Sequence, residues 1–87
     1  MWFVYVLRCA DDSLYIGETG NLDERVVRHR EGTASAYTAR RRPVSLSYSE
    51  WHPTRDIALK RERQLKRWTR AKKEALVAGD VERLKKL

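Results

Sequence analysis

The sequence predicts an α/β (α+β) fold: a three-stranded sheet with helices packed around it, in the order ββαβαα(α). Three observations carry this. Two runs rich in β-branched and aromatic residues near the start are joined by a short polar turn, and a central eight-residue stretch alternates apolar and polar. The remaining apolar residues recur at helical spacing, in segments that follow strands of what must be one small sheet. A chain of 87 residues is too short to build a second core, so residues 1–87 are expected to form a single domain.

Residues 2–8 (WFVYVLR) and 14–18 (LYIGE) are the first two strands, paired as a hairpin. Side chains alternate with period two, so Tyr5 and Tyr15 share a face only if the loop has an odd number of residues. Ala10, Asp11 and Asp12 are expected to be that loop, with Asp12 in the left-handed region and Tyr5 opposite Gly17. Asn21, three residues before Glu24, gives a cap-and-box start to a helix over 22–31 that stops at Gly32. Thr33 to Arg42 reads as a long polar and basic loop ended by Pro43. Val44 to Trp51 is the third strand. Pro53 and Thr54 open a second helix over about 55–68, Thr69 caps a third that ends at Gly79, and Asp80 caps a short last one.

Nineteen Lys and Arg against twelve Asp and Glu leave a net charge of +7, which favours polyanionic partners. With 41% apolar and 36% charged residues, a disordered chain is excluded. The longest apolar run, Trp2 to Leu7, is far short of the ~20 residues a membrane helix needs, and it lacks the positive region and cleavage site expected of a secretory signal. A soluble, cytoplasmic protein with no membrane partner is expected. One cysteine and two histidines exclude an internal disulfide and a four-ligand zinc set, and Cys9 reads as a small buried hydrophobe.

Eight of the fourteen residues from Lys60 to Lys73 are Lys or Arg, and Arg40, Arg41 and Arg42 form a second cluster. Such clusters neutralise phosphates, and Tyr37, Trp51 and Trp68 lie close by as stacking surfaces for bases, although Trp68 also continues an apolar stripe. Contacts to nucleic acid are expected from Tyr37, Thr38, Arg40, Arg41, Arg42, Lys66 and Arg67. Glu62 is the odd residue in the basic helix, since its same-face neighbours Ala58, Leu59 and Leu65 are apolar. It is either half of an ion pair with Arg61, Arg63 or Lys66, or a ligand for a hard cation such as Mg²⁺, which one carboxylate and substrate phosphate can hold. Arg25 and His29, four apart, share one helix face, and a glycine inside a strand, Gly17, marks a close backbone approach.

Phe3-Val4-Tyr5, Tyr15-Ile16-Gly17, Arg25, His29 and Glu62, in this order and spacing, resemble the GIY-YIG nuclease superfamily. The segments LRCADDSLYIGET, YTARRRPV and ALKRERQLKRWTRAKK are similar to its small stand-alone bacterial branch. The resemblance implies an antiparallel sheet and a metal-dependent endonuclease that hydrolyses phosphodiester bonds, with DNA ahead of RNA as substrate, and a domain of 87 residues has so little surface for sequence readout that low sequence specificity is expected. It implies one Mg²⁺ or Mn²⁺ bound by Glu62, Tyr15 as general base or part of its relay with Tyr5 beside it, Arg25 on the scissile phosphate, and His29 assisting by hydrogen bonding or proton transfer. Gly17 would shape the site. A role in DNA repair or recombination fits such an activity, as does a monomer or weak homodimer. The alternative is a non-catalytic nucleic-acid-binding module of the same fold. Two positions depart from the pattern: Phe3 replaces a glycine, and no Asn stands between Trp68 and Leu76.

Overall fold

β1 (Trp2–Arg8) and β2 (Leu14–Thr19) form the expected hairpin in a computed structural model that describes residues 1–87. Cys9 N–H donates to Ser13 O and Asp12 N–H to Cys9 O, both at 2.9 Å, so Ala10, Asp11 and Asp12 are the loop. Asp12 has φ 69°, a left-handed conformation that Asp tolerates better than most residues. The register pairs Tyr5 with Gly17 and Leu7 with Tyr15, as the odd loop requires.

β1 lies at the centre of an antiparallel sheet of order β2-β1-β3, where β3 spans Ser45–His52. Its unbroken apolar run is explained by burial on both faces. Val4 and Val6 join Ile16 against Ala58 and Leu65 of one helix, while Tyr5 and Leu7 join Cys9, Val26 and Val44 on the other side. Burying a Val or Leu side chain stabilises by about 1.5–3 kcal/mol, so this strand anchors both layers. Cys9, 4% exposed, is the small buried hydrophobe expected.

The helices begin at side-chain caps. α1 (Leu22–Glu31) starts where Asn21 accepts from Glu24 N–H and ends at Gly32, φ 83°. The reciprocal half of the box is taken by Thr19, whose Oγ1 accepts from Asn21 N–H at 3.1 Å. The stretch expected to be loop holds one helical turn, α2 (Ala36–Ala39), capped by Ser35, so the observed order is ββααβααα. α3 (Arg55–Lys66) ends two residues earlier than expected. α4 (Arg70–Ala78) is capped by Thr69, and α5 (Val81–Lys86) by Asp80. No helix is long and apolar enough to cross a membrane.

The hairpin loop also holds α4. Arg8 donates from both terminal nitrogens to Glu74, at 2.8 and 2.5 Å, and Arg70 joins Asp12 to Glu74. Hydrogen bonds from Arg8, outweighing the cost of burial and aided by Arg70, pull the Glu74 carboxyl down to about 2.

Candidate active site

Residues directly opposite one another in the hairpin share a face, so Tyr5 and Tyr15 both point toward α1. The Tyr5 ring lies across β2 over Gly17. A Cβ at that glycine would meet Tyr5 Cζ at 2.6 Å and the hydroxyl nearer still. Because Tyr5 is fully buried, its ring has nowhere to yield. Gly17→Ala is therefore expected to destabilise the fold by about 1–3 kcal/mol through overpacking. Urea denaturation measures this, and an unchanged midpoint would mean that the ring is free to move.

Tyr5 belongs to a buried chain of hydrogen bonds. Its hydroxyl is 2.8 Å from His29 Nε2, His29 Nδ1 is 2.7 Å from Thr38 Oγ1, and Thr38 Oγ1 is 2.9 Å from Ser35 Oγ. His29 is 1% exposed. Burial, with the charges of Arg25 and Arg28 adding to it, brings its imidazole down to about 4, so at neutral pH the ring has one donor and one acceptor. The chain then runs in a single direction. Either Tyr5 donates to Nε2 and Nδ1–H to Thr38, or Thr38 donates to Nδ1 and Nε2–H to Tyr5. Burial, and then Tyr15, push the Tyr5 phenol up to about 12; the Arg25 guanidinium opposes this and the Glu62 carboxylate adds to it. At neutral pH Tyr5 is thus a protonated partner of His29 rather than a base.

Tyr15 forms the lid of this chain. Its ring meets His29 edge-on at 5.1 Å and stacks on Tyr37 at 5.9 Å, and Arg41 lies 3.7 Å from the Tyr37 ring centroid. Tyr15 and Arg25 are half-buried and Tyr37 is exposed, so these three are open to a ligand while Tyr5 and His29 are sealed. Arg25 forms no ion pair with any carboxylate.

Glu62 arrives from the opposite layer. Ala58 and Leu65 fix α3 on the Val4, Val6 and Ile16 face, yet the Glu62 charge acts on the Tyr5 hydroxyl. The two layers meet at the outer edge of β2, where Leu14, Tyr15, Ile16, Tyr37, Lys66 and Lys73 line a cavity of about 190 Å³. The Glu62 side chain is 17% exposed, with Lys66 Nζ 3.6 Å from Oε1, so it faces the protein and holds a loose ion pair as well. Glu62 could hold a hard divalent cation, since Mg²⁺ keeps several waters and is satisfied by one or two carboxylates plus phosphate. No group of three or more His, Cys, Asp or Glu converges anywhere in the chain, so the other positions would fall to water and substrate.

The fold thus gathers Tyr5, Tyr15, Gly17, Arg25, His29, Tyr37, Glu62 and Lys66. The remaining expected nucleic-acid contacts fare differently. Thr38 is corrected: it is fully buried and its hydroxyl is bonded to His29, which leaves no surface for nucleic acid. Arg41 is held by Asp11 at 3.1 Å, and Arg42 donates to Ala39 O and Glu31 O, so both guanidinia brace the chain. Arg40 is exposed and forms no ion pair, and Arg67 lines a different face of α3. Two residues were not singled out from the sequence: Ser35, whose cap pattern over only four helical residues is too short to read, and Lys73, hidden among its basic neighbours.

Comparison with known proteins matches residues 1–75 to the GIY-YIG catalytic domain. A UPF0213 protein of Natronomonas pharaonis is 45% identical over 79 residues, covering 91% of this chain and 93% of its own length. One from Staphylococcus aureus is 45% identical over 75 residues, covering 86% and 92%. The solution NMR structure of a Bacillus halodurans UPF0213 protein is 37% identical, with a TM-score of 0.59 over 90% of this chain and 84% of that one. The chain belongs to the GIY-YIG catalytic-domain family, a nuclease superfamily, and its relatives are small UPF0213 proteins.

Proposed function

We propose that this chain, acting as a single GIY-YIG domain, is a divalent-metal-dependent endonuclease that hydrolyses phosphodiester bonds with low sequence specificity, DNA ahead of RNA. One observation carries the reading: a shielded carboxylate, Glu62, whose charge is felt at the Tyr5 hydroxyl, sits on the helix turn beside Lys66, a residue of the Tyr15 cavity, while Arg25, whose charge is felt at the same hydroxyl, has no acidic partner. A surface built only to bind phosphate gains nothing from a carboxylate there.

In this reading Glu62 would hold Mg²⁺ or Mn²⁺, and the ion supplies charge stabilisation to the phosphate as negative charge builds on its oxygens. Arg25 binds the scissile phosphate from the α1 side. Tyr15 is the accessible phenol of the pair and orients the attacking water. Tyr5 and His29, themselves held by Thr38 and Ser35, fix the Tyr15 ring from below. Lys73, within the stretch that lacks the family's Asn, stands beside Lys66 as a cation for the strand on the leaving side.

The sealing of Tyr5 and His29 beneath Tyr15 favours a second reading, a nucleic-acid-binding module that does no chemistry. Incubation with labelled single-stranded, duplex and branched DNA and with RNA, each with Mg²⁺, Mn²⁺ or EDTA, decides between them. Metal-dependent cleavage of at least one substrate, abolished by EDTA, is the expected result. Binding without cleavage under every condition would assign the module.

A further inference from the structure

α3 carries charge on two faces, and the site around Tyr15 uses one of them. At 3.6 residues per turn, Arg63, Arg67 and Lys60 stand roughly 100–160° around the helix from Glu62. There, with Gln64 and Trp68, they line a cavity of about 340 Å³. All three cations are exposed and none has an acidic partner.

The floor of this cavity is held from behind. Glu50 accepts from Tyr48 at 2.6 Å and from Arg61 Nε at 2.9 Å, and His52 lies 2.5 Å away. So anchored, Arg61 places its guanidinium 5.2 Å from the Trp68 ring centroid and donates from Nη1 to Gln64 Oε1 at 3.0 Å. With its oxygen committed to Arg61, the Gln64 amide directs its NH₂ away from that bond, and this NH₂ has no partner within the chain. The cavity therefore offers three cations and a neutral donor.

We propose that this cavity is a second binding site for the phosphate backbone of nucleic acid, separate from the reaction centre. The proposal rests on the nuclease reading only for its choice of polyanion. From Lys60 to Arg67 the helix rises about 10 Å, a length over which one strand of duplex carries about three phosphates. Three cations meet three charges. A membrane-surface helix, by contrast, presents a protruding apolar face, whereas the only apolar residue here is the half-buried Trp68. A nucleic acid that touches both this cavity and Glu62 has to cross α3, a cylinder ~10–12 Å wide, so nucleotides well away from the scissile bond contribute to binding. Their contribution falls on KM and leaves kcat alone.

The test is the triple variant Lys60→Gln, Arg63→Gln, Arg67→Gln in the full chain, whose exposed positions leave its melting temperature as a check on folding. Affinity for a duplex of two helical turns should fall ~10- to 100-fold near 0.1 M salt, and the slope of log K against log salt should flatten by about 3. In wild type and in Glu62→Gln, the two-turn duplex should shift the Gln64 side-chain amide and Trp68 indole NMR signals. Because these binding readouts need no cleavage, a chain that cuts nothing would sink the enzyme reading and leave this site standing. Unchanged affinity and salt slope, or unshifted Gln64 and Trp68 signals, would overturn the proposal. So would loss of binding to phosphatidylserine vesicles in the variant with duplex affinity intact, which would assign the surface to lipid.

Discussion

Glu62→Gln is expected to lower metal-dependent cleavage by about 10²–10⁴-fold while nucleic-acid binding stays level or rises. Gln keeps the size of the side chain but not the charge that a hard divalent cation requires. Loss of several kcal/mol of transition-state stabilisation corresponds to that range, at a factor of ten per ~1.4 kcal/mol. Folding should survive, because the Glu62–Lys66 pair, 3.6 Å long with Lys66 54% exposed, is of the kind worth ~0–1 kcal/mol. Binding should hold or improve as a negative charge leaves a basic surface and Lys66 is freed. Arg25→Ala gives a different signature, since it removes a phosphate contact and lowers affinity along with cleavage. Single-turnover cleavage in Mg²⁺ and equilibrium binding in EDTA separate the two variants. A Gln variant that cuts as fast as wild type would remove Glu62 from the chemistry.

The hairpin half of the site was legible because it is arithmetic. Alternation with period two, an odd loop and one glycine place Tyr5 over Gly17 before any coordinates are known, and the register is the one observed. Helix starts were legible for a similar reason, since Asn21, Thr54, Thr69 and Asp80 each cap with their own side chain. Thr38 was not legible. A polar residue in a basic stretch reads as surface, and nothing local reveals that its hydroxyl closes on His29 nine positions earlier. The Arg40–Arg42 run misleads in the same way, because three equal charges in sequence become one free side chain and two braces once Asp11, Glu31 and Ala39 come near. The placing of α1 and α3 on opposite faces was written in β1, whose unbroken apolar run is the mark of a strand covered on both sides. That the charge of Glu62, on the far layer, is felt at the Tyr5 hydroxyl depends on packing that no single element encodes.

Acidification should destabilise the protein in two separate steps, the first set by His29. Its folded imidazole, brought down to about 4 chiefly by burial, protonates far less readily than an unfolded histidine near ~6.5. Between those values the unfolded chain binds the extra proton, so unfolding free energy rises with pH there, and the stability tied to neutral His29 is lost as pH falls from about 6.5 toward 4. The shift amounts to about 3 kcal/mol, a large share of what a domain this small has. Glu74 acts elsewhere on the scale. Its carboxyl, pulled down to about 2 by Arg8, gives a contribution that is complete above the ordinary carboxylate value of ~4.3 and is lost only as pH falls below it. Urea midpoints measured from pH 7.5 to 4.5 should therefore hold level down to about pH 6.5 and fall from there in wild type, and stay nearly flat throughout in His29→Gln, which cannot take up the proton. NMR titration of the His29 ring should show it neutral throughout the folded range. A ring that protonates near pH 6.5 without loss of stability would show that burial does not hold it neutral, and the single-direction chain from Tyr5 to Ser35 would fall with it.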